Sequence, residues 1–250
     1  MRTRVYLNNK RKMQEAIMNI LVTGANRGLG LELTTEAAAR GHRILAGIRS
    51  LESSKEKIIE LQQRYPNQII IVPLDTSEEH SVTYAASEVA QRETHIDVII
   101  NSAAILLGRE QKLDDLSFED MDSSFRTNLY GPMMVIKHFF PLLKKGTKQS
   151  IINISSEAGS FSNAYGGDYA YALTKSALNM FSAQLHKQYT PQGYQVFAVH
   201  PGWIRTDMGG DKAPGDASVS AKGIIDLIER KVQVNDDVTF IDFRGQPMPI

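Results

Sequence analysis

Asn19-Ile-Leu-Val-Thr-Gly-Ala-Asn-Arg-Gly-Leu-Gly-Leu-Glu-Leu33 is the stretch that decides the fold. Ile20 to Val22 form a short apolar run suited to a strand covered on both faces. Gly24, Gly28 and Gly30 follow within seven residues. A turn this tight needs positive φ or close backbone approach, and glycine permits both because it lacks a Cβ. From Leu29 to Arg40 the composition favours a helix with Leu29, Leu33 and Ala37 on one face, so the turn opens onto a helix N-terminus. Unpaired N–H groups and the positive end of the helix dipole then face any anion across the turn, with Asn26, Arg27 and Leu29 beside it.

The spacing is Gly-x-x-x-Gly-x-Gly, whereas the usual dinucleotide fingerprint is Gly-x-Gly-x-x-Gly; the phosphate-cradling mechanism is common to both. Plain turn punctuation is the alternative, and the strand and helix on either side argue against it. The next strand, Arg43 to Ile48, ends at Arg49-Ser50, about 20 residues beyond the glycines, where a dinucleotide fold meets the adenosine ribose. An acidic residue there would accept from the ribose 2′-OH and repel a 2′-phosphate. Arg49 stands there instead, and Arg27 lies inside the turn, so two guanidinium groups can converge on a 2′-phosphate. The expected cofactor is NADP(H); two solvated surface arginines are the alternative.

Further along, Ser53 to Arg64 is expected to be a helix and Gln68 to Leu74 a strand ending in Asp75-Thr76, with Ser77 capping a helix that runs to about Arg92. Ile96 to Ile100 forms a fourth strand. It ends in Asn101-Ser-Ala-Ala104, where small residues such as Ala103 let a ligand lie against the backbone. This alternation implies right-handed crossovers and an α/β fold: a single-domain, Rossmann-like doubly wound parallel sheet over residues 18–250, with helices on both faces. Ligands bind such sheets beyond the carboxyl ends of the strands. Ser117 to Leu143 is a long helical stretch, with a break offered at Gly131-Pro132, that carries Asn128. Ser150 to Ile154 is a fifth strand delivering Ser155 and Ser156, and Ser160 to Gly167 is irregular. Asp168 to Gln188 is a helix carrying Tyr171 and Lys175, and Tyr194 to His200 a strand ending in Pro201-Gly-Trp-Ile-Arg-Thr206. Met208 to Gly215 is expected to be a mobile flap, Ser218 to Arg230 a helix and Val238 to Asp242 the last strand.

Composition limits the alternatives. The 250 residues are 42% hydrophobic and 22% charged, ordinary for one globular domain, and no apolar run reaches the length of a membrane span. With no cysteine and six scattered histidines, neither a disulfide, a thiolate nucleophile nor a histidine metal site is expected. Residues 1–17 carry five basic groups and one acidic, leaving 23 basic against 27 acidic elsewhere, so the body has no general attraction for nucleic acid. The leading segment lacks a secretory apolar core. It is expected to be a frayed extension or upstream start before Met18, with a basic arm or transit-like segment as the alternative, and the protein to be cytoplasmic. A homodimer or homotetramer is compatible with the amphipathic helices at 117–143 and 169–188.

Tyr171 and Lys175 stand four apart on one helix face. A phenol ordinarily titrates near pH 10, and each tenfold gain in its acidity, needed for proton transfer near neutrality, takes about 1.4 kcal/mol. One ammonium at about 4–6 Å supplies on the order of 3–4 kcal/mol at an effective dielectric of 20. Such pairs also occur on ordinary helix surfaces. Ser156 is placed to hold a carbonyl oxygen beside the tyrosine, and Thr206 to bond a cofactor carboxamide or phosphate. Asn128, polar in an apolar helix, is either a buried water-holding group or a satisfied core amide. Trp203, Met208, Phe161 and Tyr165 are expected to line an apolar substrate pocket.

Taken together, Thr23-Gly-x-x-x-Gly-x-Gly30, Asp75, Asn101-Ser-Ala-Ala104, Asn128, Ser156, Tyr171-x-x-x-Lys175 and Pro201-Gly202 with Thr206 resemble the short-chain dehydrogenases/reductases, in that order. Asn26-Arg-Gly-Leu-Gly30, Gly166-Gly-Asp-Tyr-Ala-Tyr171, His200-Pro-Gly-Trp203 and Phe243-Arg-Gly-Gln-Pro-Met-Pro249 resemble the C-factor and Sniffer-type carbonyl reductase branch. The resemblance implies Tyr171 as acid/base, Lys175 on the ribose and lowering the tyrosine pKa, Ser156 orienting a small-molecule carbonyl substrate, and Asn128 completing a proton relay. It also implies Asp75 on the adenine, and Pro201, Gly202, Ile204 and Thr206 in the cofactor-binding set. Where that family has Asn-Asn-Ala-Gly this chain has Asn101-Ser-Ala-Ala104, which asks Ala104 to adopt a glycine backbone. The implied activity is NADPH-dependent reduction of an aldehyde or ketone. The alternative is an NADP(H)-binding regulatory or signalling protein without turnover.

Overall fold

The computed structural model describes residues 17–50 and 56–250. The basic extension, Ile17 apart, and the first residues of the helix expected from Ser53 lie outside them. Seven strands, β1 (Asn19–Thr23), β2 (Arg43–Ile48), β3 (Ile69–Pro73), β4 (Val98–Asn101), β5 (Ser150–Ile154), β6 (Gln195–His200) and β7 (Phe240–Asp242), form one sheet. Their order is β3-β2-β1-β4-β5-β6-β7 and every pairing is parallel. The crossovers are α1 (Gly28–Ala39), α2 (Glu56–Arg64), α3 (Glu79–Arg92), α4 (Phe118–Phe125), α5 (Gly131–Leu143), α6 (Tyr169–Tyr189) and α7 (Ala217–Ile228). This is the doubly wound Rossmann-like sheet.

Strand alternation explains the two apolar layers. Ile20 and Val22 of β1 pack with Leu33 of α1, Ile58 of α2 and Ile224 of α7 on one face. Leu21 packs with Val82 of α3, Phe139 of α5 and Leu185 of α6 on the other. A strand with covered faces on both sides is therefore apolar throughout. Strand order reverses between β1 and β4, where parallel sheets of this kind open a crevice.

Two sequence expectations are corrected. Ser77 does not cap α3: its N–H and hydroxyl turn back to Asp75 Oδ1, at 2.9 and 2.7 Å, and Glu78 occupies the cap without a side-chain bond. The segment Met208–Gly215 is tied down. Ile204 bridges to Gly215, Trp203 Nε1 donates to Gly209 O at 2.8 Å, and Ala213 is buried. The long stretch from Ser117 holds together at Gly131-Pro132, because α4 passes into α5 through a π-helical turn, Arg126–Tyr130. Among the described residues, no helix is long and apolar enough to cross a membrane.

An ionic clamp fastens α1 to α7. Arg40 donates to Glu36, to Asp226 at 2.6 Å and to Glu229, and Glu229 also meets His42 at 3.1 Å and Lys231 at 2.8 Å. Burial pushes the Glu229 carboxyl up, but its bonds to Lys231, Arg40 and His42 outweigh this and hold it below its ordinary value of 4.5. A depressed carboxylate contributes stability above that ordinary value and loses it as pH falls through the lower folded value. Arg40→Ala leaves a buried carboxylate short of one of its three partners, so it should cost about 3 kcal/mol in urea unfolding at pH 7. The variant should also show a shallower loss of stability below pH 4.5 than wild type.

Candidate active site

A cleft of about 890 Å³ opens at the carboxyl ends of the strands. Its walls include Gly24, Asn26, Arg27, Gly28, Leu29, Gly30, Arg49, Asp75, Ala103, Pro201, Gly202, Ile204 and Thr206, with Ser156, Tyr171 and Lys175 on the opposite side. Asn101 and Asn128 do not line it.

The turn between β1 and α1 is a cradle built from close contacts. A Cβ on Gly30 would lie 2.1 Å from Gly24 O, and one on Gly24, at φ 68°, would lie 3.0 Å from Ala103 Cα. Thr23 Oγ1 accepts from Ser102 N and Ala103 N, at 3.0 and 3.1 Å, and locks this turn to the loop after β4. Arg27, the residue before α1, makes no side-chain cap, so the first-turn amides of α1 are left for an anion. These features fit a dinucleotide pyrophosphate. Arg27 forms an exposed ion pair with Asp207 at 2.9 Å, and Arg49 lies exposed on the same cleft. Ala104 lies in the wall at ordinary φ, since among the described residues only Lys148, Asp168 and Arg230 are non-glycines at positive φ. The departure from the family pattern therefore carries no backbone strain.

Asn101 works from behind the wall. Its Nδ2 donates to Asn153 Oδ1 at 2.9 Å, and Asn153 Nδ2 donates to Ser182 Oγ at 2.9 Å, tying β4, β5 and α6 together. Asn128 is a satisfied amide. Its Oδ1 accepts from Ile105 N at 2.9 Å, and its Nδ2 donates to Ile105 O at 2.9 Å and to Thr174 Oγ1 at 3.1 Å. Thr174 Oγ1 in turn donates to Tyr171 O at 2.8 Å, so Asn128 braces the helical turn that carries the tyrosine.

Ser155 and Ser156 part company at the end of β5. Ser155 is buried and donates to Asn179 Oδ1 at 2.5 Å, whereas Ser156 lines the cleft beside Tyr171 and its Oγ accepts from Ala158 N at 3.2 Å. Lys175 Nζ donates to Ile154 O at 2.8 Å and lies 5.4 Å from the centre of the Tyr171 ring. Burial pulls the lysine down to about 8. Burial also raises Tyr171 to about 12, with Ser156 and Arg109 opposing and the charge of Asp168 adding. Burial thus outweighs the protein's own charges at the phenol, while the ammonium donates one of its N–H groups to a backbone carbonyl.

Sequence reasoning missed Arg109, Glu157, Asp168 and His200, which also line the cleft. Only Asp168, at a helix start after two glycines, carries a local signal. Trp203, Met208 and Tyr165 line it as expected; Phe161 does not and stays exposed.

A parallel sheet whose first turn cradles a dinucleotide phosphate, facing a Ser-Tyr-Lys group, defines a nucleotide-dependent oxidoreductase. Residues 18–217 match the short chain dehydrogenase family, and the chain belongs to it. C-signal of Myxococcus xanthus is 34% identical over 155 residues, 62% of this chain and 92% of that protein. An NADPH-bound carbonyl reductase from chicken fatty liver superposes with a TM-score of 0.85 at 30% identity, covering 94% of this chain and 99% of the other. The carbonyl reductase Sniffer of D. melanogaster gives 0.84 at 29% identity, over 94% and 100%.

Because the folded-state value of Lys175 lies below its ordinary 10.5, the unfolded chain binds more protons between about 8 and 10.5, and stability rises with pH there. Without added nucleotide, denaturant unfolding should show this rise, on the order of 1–3 kcal/mol. Lys175→Met should flatten it.

Proposed function

We propose that the protein reduces an aldehyde or ketone to an alcohol with NADPH. The observation that carries the reading is that Tyr171, Ser156 and Lys175 line one cleft, the one opened by the glycine turn, with the ammonium 5.4 Å from the Tyr171 ring centre. The cofactor is NADP(H), which supplies the hydride when bound. Gly24, Gly28 and Gly30 receive its pyrophosphate at the N-terminus of α1, and Arg27 and Arg49 its 2′-phosphate, in exchange for Asp207 at Arg27. Ser156 holds the substrate carbonyl oxygen and Tyr171 gives that oxygen its proton. Lys175 would hold the ribose hydroxyls of the bound cofactor and lend its charge to the phenol. At about 5 Å that is worth on the order of 3 kcal/mol, a gain in acidity of roughly a hundredfold or somewhat more. Asn128 acts as a positioning residue through Thr174, and its side chain takes no part in a relay.

The resemblance to C-signal favours a second reading, an NADP(H)-binding signalling protein without turnover. A panel of carbonyl compounds followed by NADPH absorbance separates the two. Tyr171→Phe should bind NADPH as wild type does and lose about 10²–10⁴ in kcat; unchanged turnover would refute the assignment. Wild type should prefer NADPH to NADH in kcat/KM, Arg27→Ala should cut that preference about tenfold or more, and Asp207→Asn should widen it.

A further inference from the structure

Asp168 is a residue whose usual structural explanations fail. It stands at the N-cap of α6 yet its side chain bonds none of the first-turn amides, which is the ordinary reason for aspartate at that position. Its backbone is left-handed, at φ 47°, a conformation that persists at a non-glycine residue only where its surroundings impose it. One carboxylate oxygen, Oδ2, accepts from the Tyr165 hydroxyl at 2.9 Å. The other, Oδ1, is buried and takes no hydrogen bond from any described group. An orphaned buried acceptor is a standing cost that folds normally avoid.

Its place gives that cost a use. Asp168 lines the cleft three residues before Tyr171, just outside the helix that carries the tyrosine, and its charge is felt at the phenol. Arg109 faces the same opening but spends its Nη2 on Met208 O at 2.5 Å and forms no ion pair with Asp168. Tyr165, half exposed in the irregular 160–167 segment, marks where a donor sits on this carboxylate. Asp χ2 is a soft torsion, so either oxygen can turn to a donor arriving from the cleft.

We propose that Asp168 determines substrate class: it accepts a hydrogen bond from an O–H or N–H group borne close to the reacting carbonyl, so that carbonyl compounds with such a donor are favoured over apolar isosteres. The proposal rests on the reductase reading above. A polar site of this kind discriminates strongly, because the analogue that lacks the donor leaves the buried acceptor unanswered.

The test is a matched pair, 2-hydroxyacetophenone and propiophenone, which differ by a hydroxyl in place of a methyl. Their kcat/KM ratio is measured with NADPH for wild type, Asp168→Asn and Asp168→Gly; both replacements tolerate positive φ, so the helix start is kept. The hydroxyl-to-methyl ratio should fall about tenfold or more in Asp168→Gly and less in Asp168→Asn, which keeps a weaker acceptor. In parallel, quenching of Trp203, the single tryptophan and part of the same cleft, reports binding of 1-phenyl-1,2-ethanediol against 1-phenyl-1-propanol. The diol preference should fall with the same substitution. An unchanged ratio, or an equal loss on both ketones, overturns the proposal while the reductase reading stands. If wild type consumes no NADPH with either ketone but the diol preference still depends on Asp168, the reductase reading fails and the donor site remains.

Discussion

The approach of Gly30 to Gly24 O is the constraint on which the molecule depends. At 2.1 Å from that oxygen no Cβ fits, so the backbone turns from β1 into α1 within a space that only glycine allows. That turn aims the α1 amides outward over the sheet edge. Thr23, one residue before Gly24, then hooks the loop after β4 to it, which fixes the wall on which a ligand lies. The cleft is therefore a consequence of the first crossover, and the wall with Ser156, Tyr171 and Lys175 is delivered to it by the carboxyl end of β5 and by α6.

That arrangement explains what was legible in the sequence. The sheet could be read because each strand is an apolar run between helices, a pattern that burial on both faces demands. The cofactor wall could be read because its steric demands select glycine and small residues at fixed spacing. What escaped was set by partners distant in sequence or by local competition. Ser77 has a cap-like position, but Asp75 two residues earlier competes for its hydroxyl and wins. Asn128 could be read equally as a water-holding group or a satisfied core amide, and only its distant partners, Ile105 and Thr174, decide for the second. The glycine-rich flap suggests mobility by composition, while its anchors, Trp203 to Gly209 and Ile204 to Gly215, follow no local rule. Arg109 and Asp168 belong to the cleft only because two loops meet there.

The electrostatics of the Tyr-Lys pair show why spacing alone is an incomplete guide. Four residues on a helix bring the side chains together, as they do here at 5.4 Å from ammonium to ring centre. The effect on the phenol depends on where the ammonium points, and one of its N–H groups donates to Ile154 O. Burial then acts on both groups in the direction of neutrality, raising the phenol and lowering the amine. The lysine, at about 8, still carries its charge at neutral pH, and an ammonium brought closer to the hydroxyl opposes the desolvation of the phenol.

The same logic governs the Arg27–Asp207 pair across the cleft. Both side chains are more than half exposed, and an ion pair so solvated contributes about 0–1 kcal/mol. A phosphate dianion offers more charge and two oxygens for a bidentate guanidinium, so it displaces a single carboxylate at little cost. Asp207 belongs to the segment that also supplies Met208 O to Arg109. Arg205 holds the same segment through Ala213 O and Pro214 O, so among the described residues the exposed Arg27–Asp207 pair is one of three arginine contacts along it. A fold built this way can admit its cofactor through a weak exposed contact and keep its substrate wall unchanged while doing so.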